Sequence, residues 1–419
     1  MTERYDIIIA GGGMVGASLA RALAPLGLRV AVVEPVEPGA AAQPSFDDRS
    51  TALSRASQRA FTAMGLWPAI AAAATPIRAI HVSDRGSFGF CRIEAEEQGV
   101  EALGYVVVNR VLGQTLLASL AQEGGPQLYR PARITAVTQT EESVTATVAW
   151  GDGHDGGDGD GDGDGEERLE AALLVAADGA RSAVRAAVGI GMRERPYGQV
   201  AITGNLATSR PHDNVAYERF TKDGPVALLP FTEGRSAFVW TLPPAEAERV
   251  TALDDDAFLA EFQAVFGWRL GRLSRVGRRV AYPLALTRAE HLHAGRVVAI
   301  GNAAHGLHPV AGQGYNLGMR DVAALADLVA EAIAEGGDPG SPALLARYAD
   351  WRRGDQRKVV GFTDGLVRLF GSELETARAA RGIGMLGLDI IPGAKRAFAR
   401  HTMGLAGRLP RLSRGVPLR

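Results

Sequence analysis

The first 34 residues carry two apolar patterns in succession. Ile7 to Ala10 is a short unbroken apolar run ended by glycine, which fits a buried parallel strand. From Met14 to Leu26 apolar positions recur at helical spacing, with Val15, Leu19, Ala22 and Leu23 on one face. Gly27 is placed to cap that helix, since it tolerates the left-handed conformation. Arg29 to Glu34 predicts a second buried strand. Strand, helix and strand in this order read as a βαβ unit.

Beyond it the period changes. Residues 74–108 and 196–245 contain alternating segments, among them "AIHVSD", "GYVVVN" and "SAFVWTLP", which predict a mostly antiparallel sheet. Between them "LEAALLVAADGARSAVRAAVG" returns to strand-then-helix character. After Arg296, "VVAIGNAAH" is strand-like, and Asp321 to Glu335 is helical. The two kinds of segment are interleaved, so the expected architecture is α/β. A discontinuous nucleotide-binding domain (1–75, 103–195 and 275–375) has a β-sheet domain (76–102 and 196–274) inserted into it. A basic helical tail (376–419) follows.

At 419 residues the chain has room for two domains. Its composition, 46% hydrophobic and 22% charged, supplies an ordinary buried core. Charge is uneven. Residues 151–167, "GDGHDGGDGDGDGDGEE", hold eight acids and no base; outside them 45 bases face 39 acids. This low-complexity run reads as a solvated hairpin loop. Calcium-loop frames starting at Asp158 or Asp160 put Leu169 or Ala171 where a bidentate Glu is needed, so they fail. From Arg378 onward, eight Arg and one Lys oppose the single acid Asp389. That is a basic tail, and the chain overall does not read as nucleic-acid binding. Cys91 is the only cysteine, which excludes an internal disulfide. The N-terminal apolar run is too short for a signal peptide or a span. A soluble cytoplasmic protein is expected, with no metal-ligand spacing in the sequence.

Gly11, Gly13 and Gly16 form G-x-G-x-x-G between the predicted strand and helix. Gly11 allows a tight turn, Gly13 lets backbone approach a pyrophosphate, and Gly16 lets helix and strand pack closely. The helix N-terminus, with Met14 and Val15, offers free N–H groups to phosphate. Glu34, 18 residues after Gly16, can accept from ribose hydroxyls. Two other matches read as decoys: "GDGHDG" (151–156) is low complexity, and "GIGMLG" (382–387) follows an Arg/Ala-rich helical stretch instead of a strand.

"DGARSAVR" (Asp178, Gly179, Ser182, Arg185) and "GNAAHGLHPVAGQGYNLGMRD" (301–321) resemble the second and third signatures of single-component aromatic-ring hydroxylases that bind FAD. With "DDRSTALS" (47–54), "VVNRVLGQTLLASL" (107–120) and "ERFTKDGPVALLPF" (218–231), the chain is similar to the polyprenylphenol hydroxylases of ubiquinone biosynthesis. The resemblance runs from about residue 4 to the C-terminus, with the acidic run as an insertion. It implies a Rossmann-like FAD-binding domain of the p-hydroxybenzoate hydroxylase type, an inserted substrate sheet and a C-terminal helical region.

The resemblance also implies site residues. The third signature usually begins Gly-Asp; here Asn302 stands where an Asp would hold a ribityl hydroxyl. His308, Pro309, Gly312, Gln313 and Gly314 would surround the flavin ring, with the glycine N–H groups and the start of a helix near Asn316 facing its pyrimidine edge. Arg49 and Arg110 would lie near the cofactor, or serve as a surface charge and a salt bridge. Asp178 either touches ligand or positions its turn. His305 and His308 read as hydrogen-bonded structural residues rather than general bases. Tyr105, Phe220 and Trp240 read as core, with an aromatic pocket as the alternative.

The implied activity is a monooxygenase reaction. NAD(P)H reduces FAD, and O2 then forms a C4a-hydroperoxide that hydroxylates a phenol carrying an isoprenoid tail. The basic tail would meet the inner face of a membrane, dock on another quinone-biosynthesis protein, or pack on its own chain. A halogenase of this fold would carry W-x-W-x-I, which is absent. Competing readings are a reductase or hydroxylase of another aromatic or isoprenoid substrate, and a non-catalytic flavin-binding scaffold.

Overall fold

The computed structural model describes residues 2–37, 49–86, 88–122, 124–151, 166–309, 312–370 and 375–418, the side chains of 366–370 and 375–380 excepted. The chain builds two large sheets and a small one. In the first, β1 (Thr2–Ala10) lies parallel to β2 (Val30–Val33) and β11 (Glu166–Ala176). β8 (Gln127–Tyr129) extends the sheet past β2, and β19 (Val297–Ala299) and β18 (His293–Ala294) extend it past β11. β9 (Ala132–Gln139) and β10 (Val144–Trp150) add an antiparallel pair on β11. Ile7, Ile8 and Ile9 are fully buried, as an unbroken apolar run requires. α1 (Met14–Leu23) packs on α4 (Asn109–Leu120) and α8 (Gln313–Ala334), while the short α5 (Ala183–Ala187) follows β11.

The second sheet runs β20 (His305–Gly306), β17 (Val280–Ala289), β12 (Met192–Thr208), β15 (Arg235–Leu242), β14 (Pro225–Pro230), β13 (Val215–Phe220), β5 (Ala79–Asp84) and β6 (Phe90–Glu94). β16 (Leu273–Ser274) also pairs with β12. Every ladder is antiparallel except β13 with β5. Val280–Ala289, grouped by the sequence with the nucleotide-binding segments, pairs along β12 in this sheet. One face is covered by α6 (Pro244–Thr251) and α7 (Asp255–Phe266), where Phe238 and Trp240 pack on Phe258 and Phe262.

The opposite face looks toward the nucleotide-binding layers. There β3 (Ser50–Ser54), β7 (Gly104–Val108) and β4 (Ala74–Ile77) form the small sheet, flanked by α2 (Arg55–Ala63) and α3 (Trp67–Ala71). Ile77 and Val106 pack with Ala216, Phe231 and Ala237 of the second sheet, which fixes how the two layers meet.

α9 (Pro342–Phe370) lies on α8, α10 (Glu375–Ile390) lies along β6, and α11 (Pro392–Thr402) follows. A Cβ at Gly89 would sit 2.4 Å from the Gly382 carbonyl oxygen, so α10 meets the β5–β6 turn backbone to backbone. The basic tail packs on its own protein: Met403, Leu405, Leu412 and Leu418 are buried.

Two expectations shift. α1 ends at Leu23, before a 3-10 turn that contains Pro25; Gly27 then takes φ +68°, the left-handed cap. α8 starts at Gln313, eight residues before Asp321, so its glycines lie inside a helix. The "GIGMLG" decoy lies within α10, and residues 152–165 of the acidic run lie outside the described residues. Among the described residues no helix is long and apolar enough to cross a membrane.

Candidate functional site

β1 ends where the chain turns through Gly11 at φ +98°, a conformation that excludes a side chain. A Cβ at Gly11 would lie 2.5 Å from the Ala177 carbonyl oxygen, and one at Gly16 only 1.9 Å from that of Gly11. Gly13 is the N-cap of α1 and brings no side-chain acceptor, so the first amides of the helix stay available to an anion. Glu34 is buried at the end of β2. Its Oε2 accepts from Gly12 N–H at 2.6 Å and its Oε1 from Val36 N–H at 3.0 Å. Burial pushes this carboxyl above its ordinary range, and the two amides partly oppose the shift. Carboxylate oxygens keep lone pairs beyond these two contacts, which ribose hydroxyls can use.

The second motif closes on the first. Asp178 follows β11, and its Cα lies 2.9 Å from where a Gly11 Cβ would be. Asp178 Oδ2 accepts from Val184 N–H at 3.2 Å, so one oxygen positions the turn into α5. Its Oδ1 is buried and has no hydrogen-bond partner among the described residues, a cost of about 1–3 kcal/mol unless a ligand donates to it. Ser182 caps α5, and Arg185 donates to the carbonyls of Ala180 and Ala303, both at 3.1 Å. That last contact ties the second motif to the third.

The third motif begins at Gly301, φ +57°, which packs on Val15 of α1; Gly318 of α8 packs on Val15 as well. Asn302 is exposed at this junction. Behind it lies a buried polar cluster that sequence reasoning did not find. Asp321 Oδ2 accepts from Gly301 N–H at 3.0 Å and from His305 Nε2–H at 2.6 Å, and Oδ1 accepts from Arg352 Nε–H at 2.6 Å. Burial alone would raise the Asp321 carboxyl, but His305 and Arg352 outweigh it and hold it at about 2. His305 is therefore a structural donor.

The loop after His305 crosses to the second sheet. His308 is fully buried, its Nε2 3.3 Å from Gln199 Oε1 on β12 and its ring edge-on to Tyr197. Burial lowers its pKa to about 4, so it is neutral at physiological pH. The Pro309 carbonyl accepts from Gly312 N–H at 2.9 Å, and Gly312 takes φ +62° at the N-cap of α8 with its Cα face against Ala52. Gln313 is buried and Nε2 donates to the Thr402 carbonyl at 3.4 Å. Among the described residues, a Cβ at Gly314 would meet nothing within 4 Å beyond its own helix backbone and chain neighbours. Asn316 is committed to the protein: Oδ1 accepts from Ser54 N–H and Ser57 Oγ–H, and Nδ2 donates to the carbonyls of Ala52 and Gly312, at 2.7–2.8 Å. It fastens the start of α8 to β3.

β3 and α4 bring Arg49 and Arg110 to one edge of this region. The Arg49 carbonyl accepts from Asn109 N–H at 2.8 Å, and Arg110 follows Asn109, exposed in the first turn of α4. Asp47 and Asp48 lie outside the described residues. Tyr105 is buried on Trp67, and Trp240 sits beneath α6 and α7, away from the face turned to the His308 loop. Phe220 is buried on the face turned toward it.

That face carries one further residue the sequence reading passed over. Tyr217 and Arg219 point to α7: Tyr217 meets the Phe266 ring at 5.8 Å, and Arg219 Nη1 donates to the Phe266 carbonyl. Glu218, between them, takes the opposite face, in a cross-strand row with Val82, Ala227, Val239 and Thr203. Among the described residues it has no hydrogen bond or ion pair. The available signal was a charge at an inward-facing strand position, between Ala216 and Phe220.

The family model for the FAD binding domain matches residues 4–363. The ubiquinone hydroxylase UbiL of Rhodospirillum rubrum is 40% identical over 417 residues, covering 99% of this chain and 93% of that protein. A 3-demethoxyubiquinol 3-hydroxylase of Escherichia coli is 30% identical over 404 residues, covering 96% of this chain and 98% of that protein. In three dimensions, the p-nitrophenol 4-monooxygenase PnpA of Pseudomonas putida superposes with a TM-score of 0.79 at 19% identity, covering 97% of this chain and all of that one. At that identity the likeness speaks for the fold alone.

Proposed function

The chain belongs to the FAD binding domain family, and from that premise we propose that it hydroxylates the aromatic ring of a polyprenylated ubiquinone precursor. It is an FAD-dependent monooxygenase, with NAD(P)H as co-substrate. The substrate reading is supported by end-to-end similarity to hydroxylases whose names specify ubiquinone chemistry.

The residues present fit FAD. Gly11, Gly13 and Gly16 leave room and free amides for a pyrophosphate, with Met14 and Val15 opening the helix behind them. Glu34 offers acceptors to the ribose, and Asn302 offers an amide near the ribityl chain. The orphaned Asp178 Oδ1 calls for a donor in the same cradle. Among the described residues Gly314 has space beside it at the N-terminus of α8, and Arg49 and Arg110 supply positive charge at the edge. When bound, FAD takes two electrons from NAD(P)H and, with O2, supplies one oxygen atom to the ring while the other leaves as water. The protein's tasks are to exclude water, which His308 serves by fastening its segment to β12, and to hold the phenol beside it.

The test is oxygen uptake by the flavin-loaded protein with a prenylated phenol, NAD(P)H and 18O2. A substrate-dependent uptake with one labelled oxygen in the product is expected. Flavin bleaching without uptake would make the protein a reductase, and no bleaching at all a scaffold; either result overturns the proposal.

A long isoprenoid tail is met at a lipid surface, and α10 with the β5–β6 turn offers one. Phe88, Phe90, Ile383, Leu386, Ile390 and Ile391 are exposed, four of them by more than half. Arg85 in the same turn and Arg396 and Arg400 on α11, the helix that follows, are exposed as well, which suits an anionic bilayer. The double variant Ile383→Asp, Ile390→Asp is expected to lose flotation with vesicles of one-third anionic lipid while keeping its flavin. Equal flotation of variant and wild type would remove the membrane from this account.

A further inference from the structure

We propose that Glu218 is the group that receives the substrate's phenolic hydroxyl, accepting its hydrogen bond on binding and its proton as the ring is attacked. This rests on the hydroxylase reading above and adds the residue that activates the ring.

Three observations carry it. The strand alternation turns Glu218 away from α7 and onto the face that meets the nucleotide-binding layers. That same face carries Gln199, which holds His308 of the flavin-ring loop, and Ala216, which packs on Ile77 and Val106 of the small sheet. Glu218 therefore shares a sheet face with the residue that holds His308. Its cross-strand neighbours Val82, Ala227 and Val239 have short apolar side chains and bring it no charge or hydrogen-bond partner.

The carboxyl is half-buried and has no partner among the described residues, whereas a carboxyl with a purely structural role is paired. A phenolic hydroxyl is a donor that such an unpartnered carboxylate can accept from.

The surrounding charges do not compete for the role. Asp84, two residues along β5 from Val82, is spent on Arg381 at 3.1 Å. Tyr282 on β17 lies in the field of Arg49, and His308 is neutral. Burial alone pushes the Glu218 carboxyl up to about 7, where it can take and return a proton near neutral pH.

The step balances without a new reactant. The phenol O–H bond breaks, its proton goes to the carboxylate, and its electron pair stays on oxygen and enriches the ring. The ring then takes the electrophilic oxygen that O2 and NAD(P)H supply in the established reaction. It regains aromaticity by losing the proton at the attacked carbon to solvent, and Glu218 returns its own proton to the product oxygen.

The experiment compares wild type and Glu218→Gln, both FAD-loaded, with a prenylated phenol. The readouts are flavin bleaching by NAD(P)H, product formed per NAD(P)H, and hydroxylation rate from pH 5.5 to 9. The variant should bleach normally, hydroxylate about 100-fold more slowly or worse, and lose the acid limb that the wild type shows near pH 7. Its thermal midpoint should rise at pH 8 and match the wild type at pH 4.5, because only an ionised Glu218 is costly to bury. A wild-type rate and limb in the variant overturn the proposal, as does a lower midpoint at pH 8, which marks a structural Glu. If the wild type itself takes up no oxygen with the phenol, it is the hydroxylase reading that has failed, and this proposal falls with it.

Discussion

Replacing Asp321 by asparagine is expected to remove about 3 kcal/mol of stability or more and to lower the thermal midpoint by roughly 5 °C if the chain melts as one unit. Asp321, His305 and Arg352 are each at most 2% exposed. Three donors converge on the carboxylate: Gly301 N–H, His305 Nε2–H and Arg352 Nε–H. An asparagine keeps one acceptor oxygen and turns an NH2 toward groups that are themselves donors. Arg352 would retain only Asp355, which it meets at 2.5 Å and which Arg320 also claims. The double variant Asp321→Asn, Arg352→Met should be less damaged than the sum of the single ones, since the buried cation goes with its partner.

The pH dependence has a fixed sign. The folded Asp321 carboxyl sits at about 2 against an ordinary 3.8, so its contribution is whole above pH 3.8 and disappears as pH falls toward 2. Acid titration of stability should therefore be steeper in the wild type than in Asp321→Asn across that window. Parallel curves would mean the cluster is not what holds Gly301 in place.

This cluster shows why only part of the molecule is legible in the sequence. The βαβ unit could be read because its information is local: an apolar run, three glycines at fixed spacing and a carboxylate at the end of the next strand. Each of those residues acts within about 25 positions of the others. The Asp321 cluster joins positions 301, 305, 321 and 352. Arg352 stands in "YADWRRGDQRK", a charge-rich stretch that looks like a solvated helix face, and nothing in its spacing marks it as fully buried. Glu218 was hidden differently. Strand alternation shows that it opposes Tyr217, but which face is solvent depends on α6 and α7 covering one side of the sheet, a fact of topology. The apolar pattern placed α8 only from Asp321, while the resemblance put its start near Asn316, because Gly312, Gly314 and Gly318 look like breakers. In the structure Gly312 is the cap, and Gly318 is small so that Val15 and Gly301 can approach. The same property, absence of a side chain, serves a turn in one place and helix contact in another.

That distinction makes the second large effect specific. Gly16→Ala is expected to cost flavin retention by about 100-fold, corresponding to about 3 kcal/mol of overpacking. Its Cβ would stand 1.9 Å from the Gly11 carbonyl oxygen and 3.2 Å from the Ile9 side chain, and a backbone oxygen at the buried end of β1 has nowhere to go. α1 must then lift from β1, and its N-terminal amides leave the phosphate position they share with the Gly11 turn. Gly314→Ala is the matched control. Among the described residues an added Cβ there meets no atom within 4 Å outside its own helix backbone and chain neighbours, and alanine is the better helix former, so the flavin-free protein should be as stable as the wild type or slightly more so. If the open space beside Gly314 is where the flavin ring lies, this second variant should still fold but shift or weaken the flavin absorbance. Equilibrium dialysis against FAD, with calorimetry of the flavin-free proteins, separates the two cases. A Gly16→Ala protein that stays yellow through dialysis would sink the phosphate-cradle assignment, and a Gly314→Ala protein with an unchanged flavin spectrum would move the ring elsewhere.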